Sequence, residues 1–168
     1  MKNIILTGMP GAGKSTMGVI LAKTLGMNFL DTDILIQEQT GRLLQEIIDG
    51  EGPETFLAIE EKTIRSLRCD STVIATGGSV VFSRRAMEHL KTGGVVLYLE
   101  ISWEEMVRRL NNIPTRGIVL VAGQSLRDMY DQRIPLYKEY ADITIDCTKD
   151  RFETSVKKAV RELKKAGE

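Results

Sequence analysis

The chain has 168 residues with 23 basic and 23 acidic side chains, a size for one domain with no net charge. That balance gives no global reason to expect nucleic acid or an anionic membrane as a partner. With 42% hydrophobic and 27% charged residues, it has the composition of an ordinary globular domain, which excludes a disordered or fibrous chain.

Asn3–Thr7 is a short apolar run that breaks into glycines, which predicts a buried strand of a parallel sheet. Lys14–Leu25 has apolar residues at helical spacing (Met17, Ile20, Leu21, Leu25), with Gly26 as a C-cap. Met27–Leu30 is a second strand that ends at Asp31-Thr32-Asp33, followed by helices over Ile34–Gln39 and Leu43–Asp49. A turn at Gly50–Pro53 leads into a strongly periodic helix over Glu54–Arg68. Thr72–Ala75 is a third strand, running into Thr76-Gly77-Gly78-Ser79. Ser83–Lys91 is a helix, Val95–Leu99 a fourth strand, and Ser102–Leu110 a helix with Ser102 as N-cap and Glu105 three residues on. Asn111–Gly123 has no period and contains Pro114 and Gly117, which predicts a mobile loop. Ser125–Tyr140 is helical with a break at Pro135, Ile143–Asp146 is a fifth strand, and Phe152–Lys165 a final amphipathic helix.

Strands alternating with helices imply a five-stranded parallel sheet covered on both faces. Cys69 and Cys147 lack metal-ligand or redox spacing and are expected to be reduced thiols. No apolar run approaches the roughly 20 residues of a membrane helix. The segment before Gly8 is too short for a signal h-region, so a cytoplasmic location is expected.

Gly8-Met9-Pro10-Gly11-Ala12-Gly13-Lys14-Ser15 fits the pattern G-x-x-x-x-G-K-[ST]. Its glycines let backbone N–H groups curl inward, and the following helix points its positive end at bound phosphates. Lys14 is placed to reach the β- and γ-phosphates, and Ser15, which Thr16 follows, to ligate Mg²⁺. The motif follows a strand and opens a helix, the context it requires. ATP is therefore the expected nucleotide. The chain is too short for a motor and has no N-K-x-D motif of a switch GTPase. What remains is a short kinase of the nucleoside-monophosphate-kinase type, with a lid and an acceptor pocket.

Over essentially its full length the sequence resembles a shikimate kinase. The resemblance rests on Gly8–Thr16, Phe29-Leu30-Asp31-Thr32-Asp33, Thr40-Gly41, Phe56 with Ile59-Glu60-Glu61, Thr76-Gly77-Gly78, Arg116 and Arg133-Ile134-Pro135-Leu136-Tyr137. It implies a three-layer P-loop kinase fold, one domain over 1–168, with an acceptor subdomain near 33–67 and a lid near 112–123. The implied reaction is transfer of the γ-phosphoryl of ATP to a hydroxyl of a small molecule, shikimate first, by a monomer without nucleic-acid or membrane partners.

Asp31 and Asp33 fall at a strand's carboxyl end, where open α/β sheets place ligands. One such carboxylate can hold a metal-bound water and the other can accept a bond from the attacking hydroxyl. The resemblance assigns the metal shell to Ser15 and Asp31 and the hydroxyl to Asp33, whose plainer role would be to cap a helix starting at Ile34. Gly77 and Gly78 permit close backbone approach to the acceptor. Arg116 matches a lid arginine that closes over the γ-phosphate and excludes water. Arg109 matches an arginine packed on adenine, with Arg108 its surface neighbour, and Arg133 matches the arginine that grips the substrate carboxylate.

The match fails at three places, one of them Gly117, where the family commonly has proline after the lid arginine. The family has arginine after Phe56, a second carboxylate clamp, and this chain has Leu57; Ser79 stands where a third glycine is usual. A charge-assisted bond is worth roughly 1.5–3 kcal/mol, so a carboxylate substrate should bind on the order of 10- to 100-fold more weakly. Glu60, which would orient that arginine, is expected to turn to Arg133. A shikimate kinase with a looser site, a relative acting on another polyol or hydroxy acid, and a non-catalytic nucleotide-binding regulator all remain open at this point.

Overall fold

A computed structural model describes residues 2–112 and 117–167. Five parallel strands form one sheet in the order β2-β3-β1-β4-β5, with β1 Asn3–Gly8, β2 Asn28–Asp31, β3 Thr72–Ala75, β4 Gly94–Glu100 and β5 Ile143–Asp146. Helices cover both faces, as the alternation of elements required. The central strands β1 and β3 are buried along their whole length, which explains why they read as continuous apolar runs rather than alternating ones. Among the described residues, no helix is long and apolar enough to cross a membrane. Both cysteines are free.

Helix α1 (Lys14–Leu25) buries Met17, Gly18, Leu21 and Ala22. Ile20, expected on that face, is 37% exposed. Gly18 lets the helix sit on β2, since a Cβ there would lie 2.5 Å from the Phe29 ring. Helices α2 (Thr32–Thr40), α3 (Leu44–Glu51) and α4 (Pro53–Ser66) share a small second core of Ile36, Leu44, Ile47, Ile48 and Phe56. That core is completed by Val119, from the segment beyond the undescribed residues. The main core lies around the sheet, with α5 (Arg84–Thr92), α6 (Trp103–Asn111), α7 (Leu126–Tyr140) and α8 (Phe152–Ala166) completing the layers.

Four expectations change. Helix α2 starts at Thr32 because Asp31 caps it, accepting from the N–H groups of Asp33 and Ile34. The Gly50–Pro53 turn shrinks to Gly52, since α3 continues to Glu51 and Pro53 takes the first position of α4, where its missing N–H costs nothing. A 3-10 turn, Val80–Phe82, follows Ser79 and was not legible in the sequence. Helix α7 runs through Pro135 without a break. An interior proline costs about 3 kcal/mol, and buried Met129, Arg133 and Tyr137 anchor the helix on both sides of it.

Candidate active site

Strand register decides which loops meet. Leu6 pairs with Ala75, and Ala75 with Asp31, so the segments that follow β1, β2 and β3 emerge together at the carboxyl edge of the sheet. The chain leaves β1 for β2 on one side and later reaches β4 on the other, so this edge is the reversal point where such sheets bind ligands. A cavity of about 400 Å³ opens there, lined by the phosphate loop, Asp31, Asp33, Thr76-Gly77-Gly78 and part of α3.

The phosphate loop has the conformation its glycines permit. Gly8, Gly11 and Gly13 have φ of 149°, 83° and 90°, a region closed to most side chains. Ala12 turns back to the Met9 carbonyl through a 3.1 Å bond. Lys14 is 9% exposed, and its ammonium donates to the carbonyls of Gly8 (2.8 Å) and Met9 (2.9 Å). Ser15 and Thr16 face the cavity from the first turn of α1. Arg109 ties this loop to the far edge of the sheet: it donates to the Gly11 and Cys147 carbonyls, both at 3.0 Å, and to Glu105 at 2.7 Å. Arg108 and Arg109 together hold the Glu105 carboxyl far below the usual carboxylate range. Arg108 is the exposed member of the pair.

Ser15 donates its hydroxyl to Asp31 Oδ2 at 2.5 Å while Asp31 Oδ1 caps α2. A hydroxyl and a carboxylate meeting beside a phosphate loop are hard oxygen donors of the kind Mg²⁺ accepts, so these residues fit the expected metal. Asp33 lies in the first turn of α2, beyond the strand's end, and lines the same cavity as Asp31. The capping role foreseen for Asp33 belongs to Asp31.

Four elements meet around the Gly77-Gly78 turn, where the acceptor is expected from the sequence. A Cβ on Gly77 would lie 2.7 Å from Asp33 Oδ1 and 2.9 Å from Glu60 Oε2, and one on Gly78 would lie 2.8 Å from Arg133 Nη1. A side chain at either glycine would push these charged side-chain ends aside. Arg133 is 1% exposed, donates to the Val119 carbonyl at 3.0 Å and lies over the Phe82 ring. Tyr137 donates to the Gly78 carbonyl at 2.6 Å and so fixes the glycine turn to α7. Burial pushes its phenol up to about 12, against the lowering field of Arg133.

The Glu60–Arg133 pairing expected from the sequence is not formed. Ser79 donates to Glu60 Oε1 at 2.8 Å, and both side chains are buried. Burial pushes the Glu60 carboxyl up to about 8; Ser79 opposes the rise, Asp33 adds to it, and Arg133 and Lys14 oppose it. Leu57 packs partly buried against the second core. Arg116 lies outside the described residues. Beyond it, Gly117 and Ile118 line the cavity, and Gly117 lies so close to Leu44 that a Cβ would meet its side chain at 2.6 Å.

The family model for shikimate kinase matches residues 10–164. Among curated relatives, the shikimate kinase of Thiobacillus denitrificans is 41% identical over 147 residues, covering 86% of this chain and 80% of its own. That of Caldanaerobacter subterraneus is 35% identical over 164 residues, covering 96% and 95%. The structure of the Acinetobacter baumannii shikimate kinase in complex with shikimate is similar with a TM-score of 0.89 at 33% identity, over 99% of this chain and 94% of that one. The chain belongs to the shikimate kinase family, phosphotransferases that act on a hydroxyl group.

Proposed function

We propose that this protein transfers the γ-phosphoryl group of ATP to a hydroxyl of shikimate, giving shikimate 3-phosphate. The observation that carries the reading is one cavity shared by the phosphate loop, Asp33 and the Gly77-Gly78 turn, which would hold donor and acceptor side by side. In-line phosphoryl transfer asks mainly for such positioning and for neutralised charge.

Backbone N–H groups of Gly8–Thr16 cradle the triphosphate, and Lys14 exchanges its carbonyl partners for phosphate oxygens. Arg109 steadies the loop from the adenine side. Ser15 and Asp31 would hold Mg²⁺, which supplies neutralising charge when bound. Asp33 orients the attacking hydroxyl and takes up its proton, Gly77 and Gly78 allow the acceptor's close approach, and Arg133 holds its carboxylate. Arg116 closes over the transferred group from a lid spanning 112–123, while 33–67 forms the acceptor subdomain within one domain of 1–168. The same reading places the chain in the cytoplasm, as a monomer in aromatic amino acid biosynthesis.

Leu57 favours a second reading, in which another polyol or hydroxy acid is the acceptor. Incubation with MgATP and a panel of cyclic polyols and hydroxy acids, with products identified by mass, separates the two. Shikimate phosphate as the main product supports the first reading; its absence removes it.

A further inference from the structure

Glu60 is 2% exposed, and its two carboxyl oxygens have different surroundings. Oε1 receives the Ser79 hydroxyl at 2.8 Å. Oε2 is buried with no hydrogen-bond partner among the described residues, and it lies beside Gly77, where Asp33 Oδ1 also arrives. A buried polar atom left unsatisfied costs roughly 1–3 kcal/mol, so it calls for a hydrogen-bonding partner. The Ser79 bond fixes the carboxyl's rotation and thereby aims Oε2.

We infer that Glu60 binds a non-reacting hydroxyl of the acceptor directly through Oε2, and that Ser79 is the positioning residue that presents it. This inference rests on the function proposed above. A hydroxyl both donates and accepts, so it suits Oε2 whether or not that oxygen bears the proton; a carboxylate suits only the protonated form. The departures at 57 and 79 then belong together. With Leu57 in place of a cation, Glu60 lacks its expected partner, and the hydroxyl at 79 supplies one. The acceptor is held less by its charge and more by its hydroxyls.

The test uses shikimate and its two analogues that each lack one non-reacting hydroxyl, the 4-deoxy and 5-deoxy compounds. Steady-state constants are measured on the wild type, Ser79→Ala and Ser79→Thr. The wild type should use one analogue with kcat/KM at least about 10-fold below that of shikimate. In Ser79→Ala that gap should shrink to less than about 3-fold through a raised KM for shikimate, with KM for ATP unchanged. Ser79→Thr, which keeps the hydroxyl, should keep the gap.

Wild-type protein that uses both analogues as well as shikimate overturns the inference without any variant and leaves the proposed function intact. So does a gap that survives in folded Ser79→Ala. If the wild type does not phosphorylate shikimate, the functional reading falls, and calorimetric binding of the same three compounds with ADP becomes the readout. A difference in Kd that vanishes in Ser79→Ala supports the role of Glu60; equal binding or none overturns it.

Discussion

The two ends of the cavity are built differently. The phosphate end is mostly backbone from one contiguous stretch, Gly8–Thr16, shaped by positive φ at three glycines and braced by Arg109. At the proposed acceptor end, Asp33 of α2 and the Gly77-Gly78 turn reach the cavity, and buried side chains of α4, α7 and Ser79 pack behind them. A backbone cradle needs few particular side chains and tolerates little change. A side-chain pocket can exchange one contact for another: Ser79 donates to Glu60 behind the glycine turn, while Leu57 packs against the second core.

The comparison breaks first, and most sharply, at the phosphate end. Lys14→Ala should lower kcat by roughly 10³-fold, the scale of a lost transition-state charge, with secondary structure by circular dichroism retained. If the rate holds, the loop is not the phosphate site. Asp33→Asn, at the boundary of the two ends, should lower kcat by roughly 10²-fold or more with little change in KM for ATP. A near-normal rate would remove Asp33 from the chemistry.

At the acceptor end, Leu57→Arg should lower KM for shikimate by about 10-fold, the worth of one charge-assisted bond. An unchanged KM would mean that the Ser79–Glu60 arrangement has already taken over that contact's share. A smaller effect, about 5-fold, is expected for Arg109→Ala on KM for ATP alone, because the side chain steadies Gly11 through one of its three polar contacts.

The folded Glu60 carboxyl titrates near 8, above its ordinary 4.5, so the unfolded chain loses this proton first as pH rises. The stability that the group contributes is present in full below about 4.5 and is lost as pH climbs towards 8. Glu60→Gln, which cannot ionise, should therefore raise Tm by several degrees at pH 8 relative to wild type and should do less at pH 4.5. Parallel Tm–pH curves for the two proteins would place the titration elsewhere.

Much of this molecule was legible along the chain. All five strands, the first helix with its Gly26 cap and the Ser102 cap were read from apolar runs and local turn chemistry, because each depends on neighbours a few residues away. Arg133 and the Gly77-Gly78 turn were singled out by short motifs, and the structure brings them together. Glu60 was misassigned for a physical reason. The resemblance offers Arg133 as its partner, yet the Arg133 guanidinium donates to the Val119 carbonyl and lies over the Phe82 ring, while Ser79 donates to Glu60. The one available signal was that two positions, 57 and 79, depart from the family pattern in the same chain.

Sequence by itself determined the phosphate loop, the alternation of strands and helices and the residue types offered to the acceptor, since these follow from consecutive residues and their periodicity. Only the tertiary structure decided the strand order that gathers three loop ends at one edge, the cap that Asp31 rather than Asp33 provides, and the partner of Glu60. Those depend on contacts between segments far apart in the chain, where burial and the competition for hydrogen-bond partners choose among pairings that the sequence leaves equally open.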